Sequence, residues 1–238
     1  MMTEERKTEL RDNYLRVLER VENARIRRGG DAPVTLLAAS KTMPAEDIAY
    51  LARECGMKLC GENHAQEFRD KFDEVTAAGA RMDFIGHLQP NKVKYVVGKA
   101  GLIHSVDSLK IAEEINARAE KLGLKQDVLV EVNIGGEETK TGLPKYELED
   151  FIGGFNKFDH LNLCGMMSMA PKCENNSENH KYFAESYRIF LDFFAKKPHN
   201  IKEVVLSMGM SDSFEAAIEE GATLVRVGSS IFGARNYR

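Results

Sequence analysis

The four cysteines of this 238-residue chain, Cys55, Cys60, Cys164 and Cys173, form no CxxC or CxxH pair. That spacing argues against a zinc site, and so few cysteines in so long a chain do not read as a disulfide scaffold. Buried free thiols are the expectation, with Cys60 and Cys164 in apolar strand-like runs where a small, weakly polar side chain packs well. An excess of positive charge is also missing. With a net charge of -4 and no local basic stripe, the chain has no general field for a phosphate backbone, so no nucleic-acid partner is expected. The opening run, MMTEERKTELRDNYLRVLERVENARIRRGG, is charged throughout and lacks the apolar stretch of a signal peptide or membrane span. A cytoplasmic protein without a membrane partner is expected. No Pro-, Gly- or Ser-rich linker divides the chain, and KCENNSENH at 172–180 reads as a polar loop, so residues 1–238 are taken as one domain.

What is present is an ordinary globular composition, 43% hydrophobic and 29% charged, at a length that α/β barrels of about 250 residues use as one unit. Residues 3–28 carry Leu10, Tyr14, Val17, Leu18 and Val21 at helical spacing, and Gly29-Gly30 supplies a stop, which predicts a leading helix. Apolar strand-like runs then alternate with helix-like segments. The candidate strands are 34–40, 57–61, 82–86, 101–105, 127–133, 161–167, 203–207 and 223–228. Candidate helices fall at 45–54, 63–78, 90–97, 108–122, 144–157, 178–196 and 212–220. Such alternation implies parallel strands with helical crossovers. A closed (β/α)8 barrel of the TIM type, preceded by an extra N-terminal helix, uses this count and length without leaving edges, whereas an open doubly wound sheet would leave two.

Polar residues in runs that should be dry direct attention to one rim. In VTLLAASK, alternation puts Leu37, Ala39 and Lys41 on one face, with Lys41 at the strand's C-terminal end, where TIM barrels place their function. On that strand alone a lysine snorkelling into water explains it as well. In TLVRVGSS, the outward Val225 and Val227 leave Leu224, Arg226 and Gly228 facing the interior. A buried guanidinium cannot shed its proton and needs a partner, for which Glu131 across the barrel is a candidate. If the barrel closes, the last strand lies beside the first and brings Arg226 near Lys41. Each cation disfavours the other's charge, which makes the amine a better nucleophile toward an aldehyde and leaves room for an anion. The turns Ser207-Met208-Gly209-Met210-Ser211 and Gly228-Ser229-Ser230 follow the last two strands, the place where such barrels frequently hold phosphate. Either turn alone is equally a cap and a bend.

Asn63, His87, Asn133 and Ser168 stand at other strand ends and are candidates to line a pocket. His87 alone is more often a structural histidine than an acid or base. His64, His104, His160, His180 and His199 have no metal-ligand spacing, so no metal is expected.

The runs LLAASKTMP, GEN followed by QE, FIGHLQPNK, VEVNIGGEETKTGL, GMMSMAP, LSMGMSDSFEAAIEEGAT and VRVGSSIFGARNY extend over nearly the whole chain. Together they resemble the pyridoxal phosphate homeostasis protein family, relatives of the alanine racemase N-terminal barrel. The resemblance implies pyridoxal 5′-phosphate (PLP) as cofactor, bound covalently by Lys41 as a Schiff base. It also implies a phosphate site of Ser207, Gly209, Ser211, Gly228 and Ser229, Arg226 facing the pyridine nitrogen, and Asn63, His87 and Ser168 around the pocket. Two departures stand out: His64-Ala65 where Tyr-Val or a similar pair is commoner, and Asp83 where a histidine is expected. The implied function is intracellular storage, delivery or buffering of vitamin B6 cofactor by a monomer with no catalytic residues, with apo PLP-dependent enzymes as recipients. Two rival readings are a PLP-dependent amino-acid racemase and a barrel enzyme on a phosphorylated sugar. Racemisation needs proton donors on both faces of a planar carbanion; one lysine serves one face, and no second domain is expected after the barrel.

Overall fold

The computed structural model describes residues 2–137, 141–171, 176–194 and 204–233. Cys173, His199, residues 172–175 of the expected 172–180 loop and parts of the 130–143 and 225–237 runs lie outside the described residues, and 176–180, expected as loop, begin a helix.

The leading helix α1 runs Glu4–Arg28. Thr3 caps it by accepting from the Arg6 N–H, Glu4 and Glu5 sit in its first turn, and Arg25, Arg27 and Arg28 sit in its last, each favourable to the helix dipole. Gly29 ends it at φ 77, a left-handed conformation that a glycine adopts without cost. Leu10, Tyr14, Val17, Val21 and Ala24 form the buried stripe, each large apolar member stabilising by about 1.5–3 kcal/mol. Leu18, expected on that stripe, is at its edge and 36% exposed, because the 3.6-residue turn carries it past the contact.

Seven crossovers follow. The elements are β1 Thr35–Ala39, α2 Ala45–Glu54, β2 Leu59–Glu62, α3 Ala65–Ala77, β3 Arg81–Phe84, α4 Val93–Val96, β4 Ile103–Val106, α5 Leu109–Lys121 and β5 Gln126–Asn133. After them come β6 Leu143–Pro144, α6 Leu148–Phe155, β7 Leu161–Ser168, α7 Asn176–Phe194, β8 Val205–Ser207, α8 Phe214–Glu219, β9 Leu224–Val227 and α9 Ser229–Phe232. All strand pairs are parallel, in the order β4-β3-β2-β1-β9-β8-β7-β5, and β4 pairs back onto β5. Eight strands therefore close into a ring with helices outside, the (β/α)8 barrel expected; β6 is a two-residue addition against the end of β5. Leu37, Leu59 and Leu224 fill the interior on one side and Leu102, Leu129, Cys164 and Met167 on the other. Ala38, Cys60, Val225 and Val227 join the larger core between strands and helices. Burial pushes the Cys60 and Cys164 thiols up to about 12, so neither is a thiolate nucleophile near neutral pH.

Two irregularities set which side chains face inward. Between β5 and β7, Val128 pairs with Leu163 and Val130 with Met166, so β7 carries one extra residue. Between β4 and β5, Ile103 pairs with Val128 and Val106 with Val130, an extra residue in β4. Such a bulge reverses the alternation beyond it. Gly165 makes the first one possible: its φ is 137, and a Cβ there would stand 2.2 Å from the Val205 carbonyl oxygen. Gly165→Ala is expected to destabilise the barrel by about 2–5 kcal/mol through backbone strain and overpacking combined. Chemical denaturation checks it, and a loss below about 0.5 kcal/mol would contradict the bulge geometry.

Candidate functional site at the C-terminal rim of the barrel

Lys41 lies two residues beyond the end of β1 and is half-buried. The residue after it, Thr42, has φ 68 and is the one non-glycine residue with positive φ among the described residues. Beside β1 runs β9, with Leu37 opposite Arg226 and Ala38 opposite Val227, so ring closure does bring the two cation-bearing strands together.

Arg226 is 5% exposed. Its Nη1 donates to Ser207 Oγ at 2.6 Å and its Nη2 to the Ser168 carbonyl at 3.2 Å. Burial pushes its pKa down to about 10, and Glu131 acts the other way electrostatically. Glu131 is not a bonded partner: its carboxylate accepts from Thr141 Oγ1 at 2.8 Å, and among the described residues Arg226 has no ion pair. The guanidinium hydrogen-bonds neutral oxygens at its own rim, and its charge is offset only electrostatically, by Glu131. Such a charge is costly to bury and favours an acceptor or anion at its open side.

The turns after β8 and β9 are stitched together. Ser211 Oγ accepts from the backbone N–H of Gly228 at 3.1 Å and of Ser230 at 3.4 Å, and the Gly209 carbonyl accepts from the Arg226 N–H at 3.1 Å. Gly209 sits at φ 90 with a would-be Cβ 2.5 Å from Ala217, so both conformation and packing demand glycine. Ser229 is exposed beside them. A small cleft lined by Ser168, Met169, Gly209, Met210, Ser213 and Arg226 opens at this point.

The remaining candidates divide. Asn63 is half-buried at the end of β2, and the backbone of Gly86 packs against it so closely that a Cβ on Gly86 would be 2.1 Å from the Asn63 carbonyl oxygen. His87 is half-exposed, with Nδ1 3.3 Å from the Asp107 carboxylate. Ser168 and Ser207 hold different places from those anticipated. The bulge in β7 turns the Ser168 hydroxyl outward, where it donates to Ser186 on α7 at 3.0 Å, and only its carbonyl serves Arg226. The Ser207 hydroxyl is fully buried and taken up by Arg226 on one side and by His104 Nδ1, at 3.1 Å, on the other.

That last contact opens onto residues to which the sequence reading gave no place in the site. His104 Nε2 lies 3.3 Å from Asp83 Oδ2, and Asp83 meets the half-exposed Arg81 at the opposite mouth of the barrel. A polar line thus runs through the interior from Arg226 by way of Ser207, His104 and Asp83 to Arg81. The signal for it was a carboxylate and an imidazole in two strands that should have been dry. Burial pushes His104 below the ordinary imidazole value, Asp83 pulls it back, and the Arg226 and Arg81 charges push it further down. The unfolded chain takes a proton as pH falls through about 6.5 while the folded imidazole resists. This contribution to stability is therefore full above about 6.5 and is lost as pH falls below it. Denaturation midpoints across pH 5–8 are expected to show this fall, and His104→Asn to flatten it.

With the site in place, comparison with known proteins is decisive. The family described as alanine racemase, N-terminal domain, matches residues 10–236. A pyridoxal phosphate homeostasis protein of Aquifex aeolicus is 43% identical over 223 residues, covering 93% of this chain and 96% of its own. The chain belongs to this family. Another pyridoxal phosphate homeostasis protein, from Escherichia coli K12, is 36% identical over 94% of this chain and 96% of its own. Among solved structures, PipY of Synechococcus elongatus PCC7942 with PLP bound superposes with a TM-score of 0.77 at 30% identity, over 90% of this chain and 99% of that one. Family membership and the closed barrel agree, and in this chain β9 lies between β1 and β8 at the rim. No helix among the described residues is long and apolar enough to cross a membrane.

Proposed function

We propose that this pyridoxal phosphate homeostasis family member holds PLP covalently through Lys41 and stores, delivers or buffers it inside the cell, without turning over a substrate of its own. The observation that carries the reading is the buried Arg226, held by neutral oxygens only, at the same rim as a half-buried lysine and two turns joined through Ser211. The side chains fit the cofactor. PLP is a dianionic phosphate, a pyridine nitrogen and an aldehyde that takes up a primary amine with loss of water. Lys41 would supply the amine. Ser211, Ser229 and the backbone of Gly209 and Gly228 would hold the phosphate. Arg226 would donate to the ring nitrogen, with Ser207 and the Ser168 carbonyl fixing its planar fork. Asn63 and His87 stand at the rim after the second and third strands.

An arginine that cannot give up its proton keeps one on its own side of the contact, so the pyridine nitrogen accepts a hydrogen bond without becoming a cation. This is the feature that favours binding over carbanion chemistry. Recipients would be apo PLP-dependent enzymes, reached by exchange of the Lys41 amine for another.

Borohydride reduction of the PLP-treated protein, followed by peptide mapping, tests the assignment. One adduct per chain on Lys41 is expected, with none on Lys41→Ala. An adduct found only on another lysine would refute it.

A further inference from the structure

The backbone that carries Lys41 is gripped from the neighbouring crossover by a cluster that no role above accounts for. Thr42, directly after the lysine, occupies the left-handed region at φ 68, an outlier for a β-branched side chain that persists only where surrounding contacts impose it. Its N–H donates to Glu67 Oε2 at 2.8 Å, a carboxylate 25 positions along on α3. The same oxygen accepts from Lys71 Nζ at 2.8 Å, and Lys71 also donates to Glu62 Oε1 at 2.9 Å and to the Ser40 carbonyl at 3.3 Å. All three protons of the Lys71 ammonium are spent, and one of them lands on the residue immediately before Lys41. Ser40 Oγ donates to Glu62 Oε1 at 2.7 Å, and the Ser40 N–H to the Gly61 carbonyl at 2.9 Å. His64, one of the departures from the family pattern, adds its Nδ1 at 2.8 Å from Glu67 Oε1. Glu62 is completely buried and the Lys71 side chain 12% exposed, which makes these contacts less open to competition from water than surface pairs.

We propose that Glu67, backed by Lys71, is a positioning residue: it holds Thr42 in its left-handed conformation and thereby sets where the Lys41 amine stands at the rim. The flanking residues Ser40 and Thr42 are both fixed to α3 and β2, so the lysine between them departs from a backbone with little freedom. Its amine is then pre-aimed at the aldehyde position, and only the side chain's own torsions remain to be ordered on binding. Without the carboxylate, a threonine relaxes to negative φ and the following turn carries Lys41 off its line. A glycine at 42 would hold the left-handed conformation with no clamp at all. The inference rests on the PLP reading for its purpose, though the clamp itself can be tested without cofactor.

The experiment compares Glu67→Ala, Glu67→Gln, Thr42→Gly and the Glu67→Ala/Thr42→Gly double variant of the full chain. Three readouts are taken: the rate of covalent PLP uptake from the visible absorption band, the borohydride-trapped mass, and hydrogen exchange of the Thr42 amide in the absence of PLP. Glu67→Ala should slow uptake about tenfold and raise exchange at Thr42 by a similar factor, with Glu67→Gln between it and the parent. Thr42→Gly alone should stay within about threefold of the parent, and the double variant should recover most of the lost rate. Parent-like uptake and amide protection in Glu67→Ala overturns the proposal, and so does a loss that glycine at 42 leaves untouched, since that marks a general structural defect. If the parent itself takes up no PLP, the cofactor reading fails while amide protection still decides whether the clamp exists.

Discussion

Pyridoxal, which has the aldehyde but not the phosphate, is expected to bind this protein two to four orders of magnitude more weakly than PLP. On the proposed reading the Lys41 amine would serve both aldehydes alike, so the difference would isolate the turns after β8 and β9. These turns place the N–H groups of Gly228 and Ser230 on one hydroxyl, Ser211 Oγ, which holds them pointing at a common centre. A phosphate beside that centre would offer several acceptor oxygens and a double negative charge to these N–H groups and to the Ser211 hydroxyl. Each hydrogen bond to such a charge contributes about 1.5–3 kcal/mol. Two of them amount to about 3–6 kcal/mol, or roughly a hundred- to ten-thousandfold in affinity. Ser211→Ala should weaken PLP by about tenfold, as one such bond predicts, and leave pyridoxal nearly unchanged. Titration of both aldehydes into both proteins measures the four constants. Equal affinity for PLP and pyridoxal in the parent would remove the phosphate site from these turns.

How far such a site can be read from residues alone depends on what sets each side chain's direction. Alternation along β1 and β9 is regular, and so the inward placing of Leu37, Leu224 and Arg226 followed from counting by twos. The closing of the ring, which sets β9 beside β1, followed from the number of βα units. Counting failed wherever a strand gains a residue. In β7 the bulge at Gly165 inverts everything after it, and the Ser168 hydroxyl ends on α7 instead of in the pocket. A glycine inside a strand pattern is a known mark of a bulge, so the signal was present; its consequence for Ser168 needed the partner strand. Ser207 shows a different limit. Its place at a strand end was readable, but its hydroxyl is claimed from both sides by Arg226 and His104, partners 19 and 103 positions away. Asp83 and His104 were visible as polar residues in apolar runs, and only the fold shows that their two strands aim them at each other. Glu131 is a partial case: the carboxylate across the barrel does act on Arg226 electrostatically, while the arginine's hydrogen bonds go to closer carbonyl and hydroxyl oxygens.

Amino-acid turnover by the PLP-loaded protein is expected to stay below about 1 per second, the lower end of ordinary enzyme rates, for every common substrate and both enantiomers. The argument starts at Arg226. A ring nitrogen must become cationic for the cofactor to draw electrons strongly from a bound amine, and a carboxylate partner is what stabilises that cation. Under the proposed assignment the group at that position would be the Arg226 guanidinium, which is still protonated at neutral pH, its value pushed down only to about 10. Ser207 and the Ser168 carbonyl fix its fork, so it cannot swing away to let the nitrogen take a proton. The electron sink is weakened by the chain's own charge. The second requirement is a proton carrier. Lys41 would serve one face; for the other, His87 beside Asp107 is a candidate among the described residues, and its ring is half-exposed to water. Binding survives both deficits, because uptake and release of an amine need neither a strong sink nor an opposite-face base. Exchange of the α-proton into deuterated water, formation of the opposite enantiomer and of keto acid are to be followed across the common amino acids, with Lys41→Ala as blank. Transfer of PLP to an apo-enzyme is followed in parallel. Low turnover with efficient transfer supports the carrier. Lys41-dependent turnover at about 1 per second or faster would replace it with the racemase reading, and His87→Ala would then show whether the rim pair is the second base.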